Sequence, residues 1–179
     1  MDTTTFFENL QRRASGDTAV VATLRRSLMY EPGAYPPAFP FVEPFADGLS
    51  AVNRRLAYLA AGLWASAARR EPGKAYRIGE AWRVLHGRQD SKRSTEARFV
   101  SLIGADEDEL NWRLRQATKL LSSAGIDIDW PMLLRHLFGW SHPDRWVQQS
   151  WARDFWRETD AAATETATVI AAASATEQA

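Results

Sequence analysis

The residues best suited to a chemical role in this sequence are its arginines and lysines. Positions 69–98 hold nine bases and four acids, a local net charge of +5. The bases are Arg69, Arg70, Lys74, Arg77, Arg83, Arg88, Lys92, Arg93 and Arg98. Most are arginines, whose planar guanidinium can form paired hydrogen bonds to a phosphate group. Bases spread over several elements are typical of salt-sensitive contact with a nucleic-acid backbone that reads little base sequence, and on composition alone they are equally typical of ordinary solvated helix faces.

Carboxylates and histidines are the candidates for catalysis or metal binding. Asp127 and Asp129 could form a metal-binding or acid–base pair, but Asp129 also suits a helix N-cap, and we favour that structural role. The histidines lack the i, i+4 spacing of metal ligands: His86, His136 and His142. The sequence shows no glycine-rich phosphate loop, nucleophile elbow or HExxH motif. We therefore predict a protein that is not an enzyme and has no metal or cofactor.

Five of the eight tryptophans fall between positions 130 and 156. Base stacking is conceivable, but a tryptophan on an apolar stripe more often belongs to the core or to an interface. Trp151 lies on such a stripe, whereas Trp146 and Trp156 lie off it. We predict that Trp151 is buried and that the other two are interface candidates.

The overall charge conceals an uneven distribution. The 22 Lys and Arg residues balance 22 Asp and Glu residues. Residues 158–179 contain four acids and no base, so the remaining chain has 22 bases against 18 acids, a net charge of +4. The absence of cysteine excludes disulfides and thiolate zinc sites. With no signal-like N-terminus and no apolar run of ~18 residues, we expect a cytoplasmic protein without a membrane partner.

Apolar spacing predicts helices through most of the chain and no sizeable sheet. The predicted helices are 18–28 after an Asp17 N-cap, 49–69, 78–86, 94–103, one from an Asp106 N-cap to Gly125, one from an Asp129 N-cap, and a last one beginning at 141–144. The proline-rich segment 31–40 is expected to be a loop packed on the core. On the helix after Asp106, Trp112, Arg115 and Lys119 share the face opposite the apolar stripe.

These elements predict an all-α fold, a two-lobed helical bundle. The linker at 87–91 is the predicted boundary. It separates an N-terminal lobe, 1–88, from a C-terminal lobe, 89–157, and residues 158–179 are predicted to be a disordered acidic tail.

Several short motifs occur in an order and spacing typical of a known family. They are Leu24-Arg25-Arg26, Ala38-Phe39, Val42-Glu43-Pro44-Phe45, Ile78-Gly79-Glu80-Ala81-Trp82-Arg83-Val84-Leu85, Glu96-Ala97-Arg98-Phe99, Leu102-Ile103, Leu114-Arg115, Ile128-Asp129-Trp130-Pro131 and Trp151-Ala152-Arg153-Asp154-Phe155-Trp156. This set resembles CasB, the small subunit of the type I-E CRISPR surveillance complex, Cascade. The similarity spans roughly residues 20–156.

The resemblance implies a non-catalytic, all-helical protein present as two copies in Cascade, where its partners are the backbone and large subunits. It also implies contact with crRNA and with double- and single-stranded DNA, stabilising the R-loop and the displaced strand in antiviral defence. Matched to the family's basic positions are Arg25, Arg26, Arg83, Arg98 and Arg115, and less closely Arg55, Lys92, Arg93 and Arg145. With Lys119 from the helical pattern, these are the predicted nucleic-acid-binding residues.

Two other functions remain open from the residues alone. One is a helical protein–protein adaptor without direct nucleic-acid binding, whose tryptophan-rich C-terminal part is the docking face. The other is a metal-dependent nuclease that uses Asp127 and Asp129.

Overall fold

The computed structural model describes residues 1–67 and 74–157. The predicted tail 158–179 lies outside the described residues, as do Arg69 and Arg70 and the predicted end of the helix 49–69. The helices are α1 (Thr3–Gly16), α2 (Thr18–Ser27), α3 (Phe39–Val42), α4 (Ala51–Ser66), α5 (Ile78–Arg88), α6 (Lys92–Ile103), α7 (Glu107–Ser123), α8 (Trp130–Phe138) and α9 (Trp146–Trp156).

Two short strands accompany the helices, β1 (Ala75–Tyr76) and β2 (Asp127–Ile128). They run parallel, with Ala75 opposite Asp127 and Tyr76 opposite Ile128. Strands of two residues are too short to show the alternation that marks a strand in a sequence. The prediction of an all-α fold is confirmed.

Aspartates begin three helices, as the sequence predicts. The carboxylate of Asp17 accepts from the Ala19 backbone N–H at 2.8 Å, and that of Asp106 accepts from Glu109 at 2.9 Å. Asp129 accepts from the Met132 N–H at 2.9 Å, with proline in the first turn of α8. Each cap satisfies a backbone donor that the first turn of a helix leaves free.

Helix α1 was not predicted, although its signal is present in the sequence. Asp2 caps it, accepting from the Thr4 N–H at 2.9 Å. Phe6, Leu10 and Ala14 follow at i, i+4 and i+8, and all three are buried. This spacing is typical of an amphipathic helix, so the sequence does contain a pattern that predicts α1.

The predicted start of the last helix at 141–144 is wrong, because α9 begins at Trp146. Pro143 disfavours helical backbone in the residue before it, and Arg145 adopts a left-handed conformation with φ of 50°. The helix can begin only after this residue.

The proline-rich segment 31–40 packs on the core, as predicted, but its second half is helical and not a loop. It forms a 3-10 turn at Pro36–Ala38, which leads into α3, and a second 3-10 turn follows at Glu43–Phe45. Ala38 and Val42 are fully buried. The Glu43 carboxylate accepts from the Tyr58 hydroxyl at 2.6 Å and pairs with Arg54, which ties the segment to α4.

Buried side chains form two clusters that meet at α4. The first joins α1, α2 and α4 with Leu134 of α8, and the second joins α4 with α5 through α9. Helix α5 therefore packs with the later helices, although the predicted lobe boundary lies after it. The division into lobes 1–88 and 89–157 stays a prediction.

Helices α5 and α9 pack at very short range through a glycine. A Cβ built on Gly79 would lie 2.3 Å from the Trp151 carbonyl oxygen and 2.6 Å from the Asp154 Cβ. Beside this contact, Arg77 pairs with Asp154 and with Glu80, each at 3.1 Å. This packing fixes α5 and with it Trp82, whose ring lies 5.8 Å from that of Phe99 on α6.

Candidate nucleic-acid interface

Four of the predicted nucleic-acid-binding residues donate to backbone carbonyls at helix C-terminal ends. Arg25 donates from Nε and Nη2 to the Ala65 oxygen of α4, at 3.3 and 3.2 Å. Arg115 donates from Nη1 to the oxygen of Leu28, the C-cap of α2. These carbonyls have no partner within their own helix, and a cation also complements the helix dipole there.

The other two residues make the same kind of contact with α6 and α9. Arg145 donates from Nη2 to the Ile103 oxygen at the end of α6, at 2.9 Å. Arg83 donates from Nη1 to the oxygen of Arg157, the C-cap of α9, at 3.4 Å. These four guanidinium groups are therefore engaged within the protein.

Arg115 is also less exposed to solvent than its predicted position on the polar face of the helix implies. It is half-buried, it donates to the Asn111 side chain through a 2.7 Å hydrogen bond, and burial lowers the pKa of its guanidinium. Trp112 on the same helix is 54% exposed, as predicted. The predicted face is thus exposed at Trp112 and Lys119 and closed at Arg115.

The other six predicted residues are exposed and belong to α2, α4, α6 and α7. Their side chains make no hydrogen bond or ion pair with any part of residues 1–67 and 74–157. They are Arg26, Arg55, Lys92, Arg93, Arg98 and Lys119. No hydrogen bond or ion pair within the described residues engages these charges, although Arg55 lines a pocket together with Glu31, Glu107 and Asp108.

Two of these six bases, Arg98 and Lys119, line a groove between α6 and α7 with a volume of about 670 Å³. A third base of the groove, Arg113, was not among the predicted residues. Its guanidinium lies 4.8 Å from the centre of the Trp112 ring, and it pairs weakly with Glu109 at 3.5 Å. The groove thus brings Arg98 together with bases that lie 15 and 21 positions further along the sequence.

The candidate catalytic residues have structural contacts. The Asp129 carboxylate caps α8, and the described residues contain no group of three or more His, Asp or Glu side chains suited to hold a metal. His136 is buried, and its Nδ1 accepts from Trp151 Nε1 at 2.8 Å. Burial lowers the pKa of His136, which favours the neutral ring that this bond requires. His86 packs edge-on against Phe155.

The tryptophans divide as the sequence predicts. Trp151 is fully buried, whereas Trp146 and Trp156 are 39% and 48% exposed. Trp156 donates from Nε1 to Glu96 at 3.3 Å, and Trp146 packs directly over Gly139, where an added Cβ would lie 2.4 Å from the indole. Both exposed rings are therefore anchored to the fold along one edge.

Among the described residues, no helix has the length and apolar character that crossing a membrane requires.

Known proteins provide an independent comparison. The family described as CRISPR-associated protein Cse2 matches residues 20–156. A CRISPR-associated protein Cse2 of Thermus thermophilus is 41% identical over 142 residues, covering 78% of this chain and 79% of that protein.

Solved structures agree with this match. The crystal structure of CasB from Thermus thermophilus superposes with a TM-score of 0.73 at 36% identity, covering 87% of this chain and 98% of that one. CasB of M. ruber gives 0.75 at 33% identity, covering 93% and 97%. A chain of a CRISPR RNA-guided surveillance complex shares the fold, with a TM-score of 0.76 at 23% identity over 92% and 97%. The predicted resemblance to CasB is confirmed, and the chain belongs to the CRISPR-associated Cse2 family.

Proposed function

We propose that this chain is the non-catalytic small subunit of the type I-E CRISPR surveillance complex, Cascade, and that it stabilises the R-loop through contacts with nucleic-acid backbones. The observation that carries the proposal is the set of six exposed bases without protein partners on α2, α4, α6 and α7. A chain of similar fold in an RNA-guided surveillance complex supports it.

The energetics of R-loop formation make such contacts effective. Exchange of a DNA duplex for an RNA–DNA heteroduplex is nearly balanced in free energy, so a few backbone contacts can shift it. Each base that neutralises a phosphate also releases counterions, which makes the contact sensitive to salt. Single-stranded DNA, double-stranded DNA and crRNA all present this backbone.

The family resemblance supports a proposed set of assembly partners. They are the backbone and large subunits of Cascade and a second copy of this chain, in the cytoplasm, as part of antiviral defence. The exposed rings of Trp146 and Trp156 are suited to the protein contacts of such an assembly.

The proposal is tested by removing the six unpartnered bases. The variant carries Gln at Arg26, Arg55, Lys92, Arg93, Arg98 and Lys119, and its binding to single- and double-stranded DNA is measured across salt concentrations. We expect weaker binding and a shallower salt slope, by about 0.7 for each phosphate of a single strand that is no longer neutralised.

A control with half as many charges removed replaces three exposed bases elsewhere by Gln, at Arg12, Arg135 and Arg153. It should bind with a slope close to that of the parent protein. If the parent protein retains no DNA at moderate salt, the proposal fails and the adaptor function, with docking through the tryptophan-rich C-terminal part, takes its place.

A further inference from the structure

The groove between α6 and α7 is lined by many hydrogen-bond donors. Two of the residues that supply them, Trp82 and Arg113, are not among the predicted nucleic-acid-binding residues. We infer that this groove is an anion-binding site that takes a phosphate group of a nucleic-acid strand. The inference rests on the proposed function for the source of the phosphate. The anion site itself follows from the groove's own residues.

The charge of the lining is of one sign. Arg98, Arg113 and Lys119 line the groove, and no acidic residue is among the described residues that do so. The polar remainder consists of three serines and Gln116, which can donate hydrogen bonds from hydroxyl and amide groups. Arg113 is paired with Glu109 outside the lining, so the uncompensated positive charge of the groove is that of Arg98 and Lys119.

Two buried donors at this groove have no partner. Trp82 is only 2% exposed and lines the groove, and its Nε1 makes no hydrogen bond within the described residues. The Nε of Arg113 is likewise buried and unpaired. An unsatisfied buried donor is destabilising, and an indole or guanidinium N–H can only donate. A ligand that satisfies them must supply acceptors, as phosphate oxygens do.

These donors are held in place before any ligand arrives. The ring of Trp112 and the carboxylate of Glu109 position the Arg113 guanidinium. Trp82 is fixed by its contact with Phe99 and by the close packing of α5 on α9 at Gly79. A preorganised site loses little conformational entropy on binding.

The size of the groove favours a nucleic-acid strand over a single carboxylate. Its volume of about 670 Å³ far exceeds one acidic side chain. Arg98 and Lys119 are exposed at the groove, so a chain of phosphates can pass along the site.

The most direct test is the indole N–H resonance of Trp82 in a ¹⁵N–¹H spectrum of the full chain. Its peak is assigned by its disappearance in the Trp82→Phe variant. Separate titrations use a short single-stranded oligonucleotide, inorganic phosphate and a poly-glutamate peptide. We expect the oligonucleotide to shift the Trp82 peak in a saturable manner while that of Trp156 moves less.

Affinity provides the second readout. We expect Trp82→Phe and Arg113→Gln each to weaken oligonucleotide binding by roughly three- to tenfold, the range for removal of one ordinary hydrogen bond. The control variant, Trp156→Phe, should bind like the parent protein. Arg113→Gln changes a partly exposed residue, so it remains informative if Trp82→Phe folds poorly.

The outcomes separate the inference from the proposed function. If the parent protein binds no oligonucleotide, the proposed function fails. If it binds while the Trp82 peak does not move and Arg113→Gln binds equally well, the groove inference is overturned and the proposed function stands. A shift with poly-glutamate or with inorganic phosphate, but none with the oligonucleotide, overturns the assignment to a nucleic-acid strand.

Discussion

The α5–α9 interface and the α6–α7 groove contain similar residues and use them differently. At the interface, Arg77 pairs with Asp154 and Glu80, and a glycine allows the backbones to touch. At the groove, Arg98 and Lys119 have no acid beside them, and the helices leave an open volume of about 670 Å³. Arg77 is structural because it meets two carboxylates, whereas Arg98 and Lys119 meet neither a carboxylate nor a helix end and are available to a ligand.

The largest effect that would sharpen this contrast is expected at Gly79. Gly79→Ala places a methyl group 2.3 Å from a backbone oxygen of Trp151, so α5 and α9 must separate. We expect the unfolding free energy to fall by about 3 kcal/mol or more, at the upper end of overpacking costs. Denaturant unfolding measures it.

Gly87 provides the control on the same helix. An added Cβ there meets no atom within 4 Å. Gly87→Ala should leave stability unchanged or raise it by up to about 1 kcal/mol, through better helix propensity. Equal destabilisation of the two variants would show that close packing at Gly79 is not the cause.

The next largest effect distinguishes an arginine that donates to a helix-end carbonyl from an arginine without a partner among the described residues. Arg115→Gln removes the donor to Leu28 and leaves a helix-end carbonyl unpaired, at a cost of about 1–3 kcal/mol. We expect its oligonucleotide binding to keep the parent salt slope. Arg98→Gln should change the free energy of unfolding by less than about 0.5 kcal/mol and should reduce the magnitude of the salt slope. If Arg115→Gln reduced the salt slope and Arg98→Gln lowered the stability, Arg115 would be the residue that contacts DNA and Arg98 the structural one.

A smaller effect concerns the pH dependence of stability at His136. Burial, with help from Arg77 and Arg135 and against Asp129, lowers the pKa of this residue in the folded protein. Below the unfolded value of about 6.5, the unfolded chain therefore binds more protons than the native one, and stability falls as pH falls.

The comparison is between the parent protein and His136→Gln, by chemical unfolding from pH 7.5 to 5. The parent should lose stability more steeply on acidification, by at most about 1.4 kcal/mol per pH unit for one proton. Parallel profiles for the two proteins would show that His136 does not titrate differently in the native and unfolded states.

Local patterns in the sequence predicted much of the fold. Asp17, Asp106 and Asp129 were predicted as caps because the cap and its partner lie within three positions of each other. The predicted start of α9 is wrong, because the left-handed backbone conformation of Arg145 is not marked by any pattern in the neighbouring sequence.

The candidate site was less predictable, because partners distant in the sequence decide what a base does. Arg25 and Arg115 donate to carbonyls that lie 40 and 87 positions away in the sequence. The sequence alone therefore could not distinguish them from a base without a partner, such as Arg26. The groove was missed for the same reason. Trp82 and Arg113 are brought to one site only by the packing of α5, α6 and α7.

The central claim is that the bases of the groove carry contact with nucleic acid. Its most direct test is the dependence of single-stranded DNA affinity on salt for two variants in which the same number of charges is removed. One carries Gln at Arg98, Arg113 and Lys119, and the other carries Gln at Arg12, Arg135 and Arg153. We predict that the magnitude of the log–log slope falls by about 2 in the first and hardly changes in the second. Equal slopes for the two variants would contradict the account.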